Sequence, residues 1–277
     1  MEGDIFPKPA FVAEIKVIGM GKSVYFISDA HLGSGDDSRE RERQLCQWLD
    51  SIKDDCKALM LLGDMFDFWF TYRHLVPRGH TRLLGKLAEL ADSGVEIHFF
   101  LGNHDMWMFD YLEKEIGAVM HAEPEVFEID GKRFLIGHGD GLGDLDRGFN
   151  FIRRVFRSRL NQRLFALLPS SLTFPIARRW SDSNKLKHAK QDCLHYLGDD
   201  CEGIVLYCKE RLAKEHLDYC VFGHRHTPLV RNLDVKTTAT TSNSSLYVNT
   251  GDWFVNRNYA VYSLEEHSLK LCDWGKE

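Results

Sequence analysis

Five apolar runs in this chain end the same way, and that repetition constrains the fold more than any other feature. The runs "VYFIS" (24–28), "ALMLL" (58–62), "IHFFL" (97–101), "RFLIG" (133–137) and "YCVFG" (219–223) each lead directly into glycine, aspartate, asparagine or histidine. Short apolar runs closed by turn residues read as buried strands of an α/β sheet. Between them, "SRERERQLCQWLDSIKDD" and "GHTRLLGKLAELADSG" carry apolar residues at helical spacing with charged outer faces, and Gly94 supplies a helix stop. After Gly137 the alternation breaks, and residues 145–215 read as mostly helical. Beyond "YCVFG" the pattern is all strand, with "LYVNT" (246–250) and "YAVYSL" (259–264). The expected layout is one α/β domain over residues 1–277, with a helical insertion at 145–200.

Composition narrows the partners. The 277 residues suffice for a sizeable core, and 44% hydrophobic with 27% charged residues argues against disorder. A net charge of −6 argues against a nucleic-acid partner. The seven cysteines form no C-x-x-C pair, which points away from a zinc–thiolate site or a disulfide framework and towards reduced thiols in the cytosol. The first residues, "MEGDIFPKPAFVAEIKVIG", do not read as a secretory signal, and no run of eighteen apolar residues predicts a membrane span.

The residues at the strand ends carry the chemistry. "SDAH" offers Asp29 and His31, "GDMFD" Asp64 and Asp67, "GNHD" Asn103, His104 and Asp105, "GHGD" His138 and Asp140, and "GHRH" His224 and His226. Open α/β sheets bind ligands at the carboxyl ends of their strands. Any one of these motifs alone is more often a turn or a cap. Five in the same strand-then-turn context point to one site. Mixed carboxylate and imidazole donors suit Mn²⁺, Fe²⁺ or Zn²⁺ better than Ca²⁺. Two such ions held by a shared carboxylate can activate water against a phosphate ester.

These blocks, in this order, resemble the calcineurin-like metallophosphoesterase superfamily over residues 23–256. The resemblance implies two mixed β-sheets in a sandwich flanked by helices. It also implies two divalent metal ions, with Mn²⁺ expected first. One ion would take Asp29, His31, Asp64 and His226, the other Asp64, Asn103, His138 and His224. His104 would face the scissile phosphate, oriented by Asp67. Asp105 and Asp140 would orient imidazoles or, equally, cap turns.

A narrower resemblance follows from "YFISDAHLGS", "LLGDMFDFWF", "VPRGHTRLLGKLAEL", "GNHDMWMFDYL" and "HGDGLGD". These are similar to the UDP-2,3-diacylglucosamine hydrolases of lipid A biosynthesis, in the form found in Bacteroidetes. Proteobacterial members carry arginine where this chain has His104. The resemblance implies cleavage of a lipid-linked UDP-sugar to UMP and a diacylglucosamine 1-phosphate. It further implies a cytoplasmic protein held peripherally on an anionic inner membrane. A scaffold without catalysis, and a phosphoesterase for nucleotides, phosphoproteins or DNA ends, are the competing readings.

The insertion fits a lipid substrate. Phe151, Ile152, Val155, Phe156, Leu160, Leu164 and Leu168 form one stripe at helical spacing, interleaved with Arg153, Arg154, Arg157, Arg159 and Arg163. Arg153 and Arg154 are the expected phosphate contacts, because the guanidinium fork matches phosphate oxygens. Asn103 and the segment carrying Ser183, Asn184 and Lys185 are further expected substrate contacts. The aromatic residues of "DFWFTYR" are expected to fill the core beneath the site rather than to stack on uracil.

Overall fold

The computed structural model describes residues 13–14, 21–143, 147–176, 196–236 and 242–275. Ser183, Asn184 and Lys185 lie outside the described residues. The first sheet contains β2 (Ser23–Ile27), β3 (Cys56–Leu61), β4 (Glu96–Phe100), β5 (Val119–His121), β11 (Asn258–Ser263) and β12 (Ser268–Asp273), in the order β12-β11-β2-β3-β4-β5. Strands β2 to β5 run parallel, and β11 and β12 close one side antiparallel. The second sheet contains β1 (Ala13–Glu14), β6 (Glu125–Ile129), β7 (Lys132–Gly137), β8 (Tyr219–Phe222), β9 (Pro228–Lys236) and β10 (Ser242–Thr250), in the order β1-β6-β7-β8-β10-β9. Both sheets are mixed, as the sequence led us to expect.

Side-chain alternation builds the layers. Along β2, Val24 and Phe26 enter a core shared with Phe134 and Ile136 of β7, while Tyr25 and Ile27 enter a different one. Successive residues of a strand point to opposite faces, so a strand with both faces covered is apolar throughout. On the outer face of the first sheet, Leu45, Trp48 and Leu49 of α1 (Ser38–Ile52) and Leu83, Leu87 and Leu90 of α2 (Thr81–Asp92) complete that second core. Short α3 (Tyr111–Ile116) adds Leu112 to it.

Between β7 and β8 lie α4 (Arg147–Arg157), α5 (Arg159–Ala166), α6 over residues 170–176, and α7 (Gly203–Leu212). Helix α7 covers the outer face of the second sheet through Ile204, Val205, Cys208 and Leu212. The apolar stripe expected as one helix over 151–168 is broken at Ser158, whose ψ of 122° is extended. The break frees carbonyls at the end of α4. Asn161 donates to Val155 O at 2.8 Å, and Gln162 and Trp107 donate to Phe156 O at 3.2 and 2.9 Å. Side chains thus satisfy acceptors that a continuous helix would have paired internally.

Helix α2 is capped from outside its own sequence. His80 precedes it in a left-handed conformation and makes no side-chain cap. Buried Glu42 of α1 instead accepts the amides of Arg82 and Leu83 at 3.1 and 3.2 Å. A carboxylate there also opposes the positive end of the helix dipole.

Candidate metal centre

The five predicted motifs converge. Strands β2, β3 and β4 of one sheet and β7 and β8 of the other end at the same edge, and the turns that follow are tied together. Asp29 N donates to Gly63 O at 3.1 Å, His31 N to Asp64 O at 2.9 Å, and Gly223 N to His138 O at 3.0 Å. Across the sheets, His224 N donates to Asp29 Oδ2 at 2.9 Å. Close approach demands glycine at two points. A Cβ on Gly102 would strike the Asp64 carboxylate, and one on Gly223 would strike Ser28 and Asp29.

Backbone strain is concentrated here. Asp29, His31, Asp64, His224 and His226 all have positive φ, between 42° and 68°. Left-handed conformations cost a non-glycine residue about 1 kcal/mol or more and persist only where the surroundings fix them.

Two groups of donor atoms result. Asp29, His31 and His226 place ligand atoms within 4.8 Å of one another, and so do Asp64, His138 and His224. His31, Asp67 and His104 form a third, overlapping group. The first two meet at Asp64. Its Oδ2 lies 3.9 Å from His31 Nε2 and 3.5 Å from His138 Nε2, while its Oδ1 accepts the His104 amide at 2.8 Å. Asn103 Oδ1 lies 3.4 Å from His138 Nε2, on the same side as Asp64.

Hydrogen bonds to carbonyls decide which imidazole nitrogens are free. His138 Nδ1 donates to Leu62 O at 2.7 Å, so Nε2 is the nitrogen turned to the cluster, where Asp64 and Asp29 favour a proton or another cation on it. Backbone carbonyls of this kind fix the orientation of metal-binding histidines. His31 Nε2 and His226 Nε2 approach to 3.3 Å, and buried Asp29 Oδ1 lies 3.3 Å from His226 Nε2. Converging lone pairs and carboxylates in a dry setting suit a divalent cation, and these clusters fit a centre of two ions.

Electrostatics agrees. Burial would raise the Asp29 carboxyl, but His226 and His138 outweigh it and hold the group down at about 2. Asp64 is likewise buried, yet His138, His104 and His31 hold it well below the usual carboxylate range. Both acids are therefore ionised at neutral pH and available to a cation.

The remaining acids divide between the roles expected of them and others. His104 Nδ1 donates to the main-chain oxygen of Asp67 at 2.9 Å; the Asp67 carboxylate is 3.8 Å from that nitrogen and 3.7 Å from His31 Nδ1. The backbone of Asp67 thus orients His104 while its side chain lies between two imidazoles. Asp105 orients no imidazole. It accepts the amides of Gly102, Met65, Asp64 and Phe66 at 2.9–3.4 Å, pinning two motif turns together. Burial and the Asp64 charge push its carboxyl up to about 7. Asp140 is claimed by the insertion: Arg153 Nε donates to its Oδ2 at 2.6 Å, and Arg157 lies 3.7 Å away. Arg153 also donates to Glu123 at 3.1 Å. Arg154 is exposed, and with Arg153 and Arg157 it lines an open cavity of about 870 Å³.

Phe70 and Trp69 are fully buried, so this part of the "DFWFTYR" segment fills core. Phe70 and Trp107 pack beneath Phe156 and Phe165, seating α4 and α5 on the body. The rest of the stripe faces outwards. Phe151, Leu160 and Leu164 are more than half exposed and Ile152, Val155 and Leu168 somewhat less, and Leu167, Leu172 and Ile176, outside the expected stripe, are also more than half exposed.

Two contributors escaped the sequence reading. Asp252 follows β10 in a "GD" directly after the run "LYVNT", a sixth strand end of the kind that carries the other five motifs. It accepts the amides of Val255 and Asn256 and adds to the charge that raises His226. Arg41 carried no motif signal, because its partners are main-chain carbonyls.

Comparison with known proteins gives the same answer. The chain is 39% identical over 258 residues to the UDP-2,3-diacylglucosamine hydrolase of Porphyromonas gingivalis, covering 88% of this chain and 95% of that one. Identity to the UDP-2,3-diacylglucosamine hydrolase of Aeromonas salmonicida is 27% over 249 residues, covering 90% and 92%. To that of Aeromonas hydrophila it is 26% over 253 residues, covering 89% and 99%. The family model described as calcineurin-like phosphoesterase matches residues 22–228, the span that carries all five strand-end motifs, and the chain belongs to that family.

Proposed function

We propose that this chain hydrolyses the pyrophosphate of UDP-2,3-diacylglucosamine, releasing UMP and 2,3-diacylglucosamine 1-phosphate, at a dimetal centre. The observation that carries the lipid assignment is the Asp140–Arg153 contact. It seats an arginine-rich helix with an exposed apolar face beside the metal clusters. A soluble nucleotide needs no such face. The identity to the P. gingivalis hydrolase supports the same substrate.

Asp29, His31 and His226 would hold one ion and His138, His224 and Asn103 the other, with Asp64 shared. Mn²⁺ suits this donor set, with Fe²⁺ and Zn²⁺ as alternatives. The bound ions would supply an activated water and offset the phosphoryl charge. His104 keeps its Nδ1 proton on the Asp67 carbonyl, which turns Nε2 towards the reacting phosphate. With a second proton on Nε2, as the imidazolium, it would donate to a transition-state oxygen or give that proton to the departing group. Arg154, which lines the cavity, would meet phosphate there, and Arg153 would join it where phosphate displaces Glu123. Asn103, Ser183, Asn184 and Lys185 are further proposed contacts.

Among the described residues, no helix is long and apolar enough to cross a membrane. We infer a peripheral position on the cytoplasmic face of the inner membrane. The outward leucines of α5 would enter the lipid, and the arginines would meet its anionic headgroups. The direct assay is incubation with UDP-2,3-diacylglucosamine and Mn²⁺, with UMP as the expected product. Cleavage of a simple chromogenic diester under the same conditions without UMP release would overturn the lipid assignment and leave a phosphoesterase of another specificity.

A further inference from the structure

Arg41, in the first turns of α1, is a charged side chain only 3% exposed. Its Nε donates to Ala30 O at 2.9 Å, and its Nη2 to His31 O at 3.2 Å and Ser34 O at 2.6 Å. The remaining nitrogen, Nη1, lies 2.9 Å from Asp37 Oδ1. The Phe254 ring covers the guanidinium at 4.3 Å and meets the His31 ring edge-on at 6.0 Å.

The three carbonyl contacts all fall on one segment, the loop that presents Asp29 and His31. That loop is strained, with φ of 54° and 42° at those two residues. Its amides are already taken: Asp29, His31 and Leu32 donate to the carbonyls of Gly63, Asp64 and Met65. Arg41 gathers three of its carbonyls, those of Ala30, His31 and Ser34, and the second of these also accepts the Ser34 amide at 3.1 Å. A guanidinium is suited to this, because it presents five donors in a rigid plane and stays charged. The loop is thus gripped on its amide side by the next motif and on its carbonyl side by Arg41. His138 and His224 stand on the other sheet, and none of the hydrogen bonds of Arg41 reaches them.

We propose that Arg41 is a positioning residue for one half of the centre, setting the affinity for the ion held by Asp29, His31 and His226 while leaving the Asp64, His138 and His224 half as it is. The proposal rests on the dimetal reading. Lysine keeps the charge but cannot reach three carbonyls at once. Partners that orient metal ligands typically contribute ten- to a hundredfold in affinity.

The test is calorimetric titration of the metal-free full chain with Mn²⁺. Wild-type protein takes up two ions. In Arg41→Lys, one site weakens by about ten- to a hundredfold and the other keeps its affinity. Two unchanged sites, or two sites weakened alike, would overturn the proposal and leave the dimetal reading standing. Fewer than two ions in the wild type would overturn both. Phe254→Leu leaves the carbonyl partners of Arg41 in place and removes the ring that covers its guanidinium and meets His31, so it tests the same half of the centre if Arg41→Lys does not fold. It should weaken the same site selectively, by a smaller factor, and two unchanged sites in that variant would count against the proposal.

Discussion

Arg153 on α4 donates through Nε to Oδ2 of Asp140, two residues beyond His138, at 2.6 Å. The bond ties the helical segment to the turn that ends β7. Arg157 reinforces it from one turn further on and also pairs with Glu123. The insertion is therefore anchored by charge at Asp140 and by aromatic packing at Phe156 and Phe165.

Removing one partner of a buried pair leaves an uncompensated charge, which costs about 3–5 kcal/mol. Arg157 stays near Asp140, so Arg153→Met should lie at the low end, about 3 kcal/mol, by chemical denaturation. Arg153→Met combined with Asp140→Asn should lose less than the sum of the two single variants. Additive losses would show that the two side chains do not interact in solution.

The same pair sets a pH dependence. Burial would raise the Asp140 carboxyl, but Arg153, His138 and Arg157 overcome it and hold the group below its ordinary value. A carboxylate lowered in the folded state stabilises fully above its unfolded pKa of about 4, and that contribution is lost as pH falls through the lower folded value. Denaturation across pH 3–7 should show the wild type converging on Asp140→Asn at the acid end. A constant gap between the two would contradict the assignment.

Glu42 gives a prediction about the scaffold alone. Glu42→Ala leaves the first amides of α2 without their acceptor and should lower stability by about 1–2 kcal/mol, the cost of a lost helix cap. Glu42→Gln keeps an acceptor oxygen and should lose less. Hydrogen exchange at Arg82 and Leu83 is the local readout, and unchanged protection in Glu42→Ala would contradict the capping role.

The outward face of α5 should matter for lipid and not for folding. Leu160→Ser, Leu164→Ser and Leu167→Ser together remove side chains that are 65%, 53% and 80% exposed. Each surface change should shift stability by no more than about 0.5 kcal/mol. Co-sedimentation with vesicles containing phosphatidylglycerol should fall for the triple variant, and wild-type binding should weaken with added salt. Equal sedimentation of both proteins would remove this face from the membrane account.

The sequence made the site legible because strand ends are written in local patterns. Asp29, His138 and His224 follow an apolar run directly, and Asp64 and Asn103 follow one after a single glycine, so both their fold position and their chemistry could be read together. The second sheet was harder to read. β9 is an edge strand that begins with Pro228 and is mostly exposed, so it lacks the alternation that betrays a half-buried strand. Ser158 hid the break between α4 and α5 because the apolar spacing continues across it. Arg153 looked like a free cation because its acid, Asp140, belongs to a motif read as metal-site chemistry. Long-range pairing of that kind leaves no periodicity, and neither does a side chain such as Arg41 that binds main-chain carbonyls.

The central claim is that Asp64 joins two halves of one metal centre that hydrolyses the lipid-linked UDP-sugar. Its most direct test is a paired measurement on Mn²⁺-reconstituted wild type and Asp64→Ala: metal bound per chain, and UMP released from UDP-2,3-diacylglucosamine. The account predicts two ions and UMP release in the wild type, with a loss of bound metal and of UMP release by more than about a thousandfold in the variant, the scale expected when a metal-assisted step worth several kcal/mol is removed. Asp64→Ala that retains two ions and near-normal UMP release would contradict it.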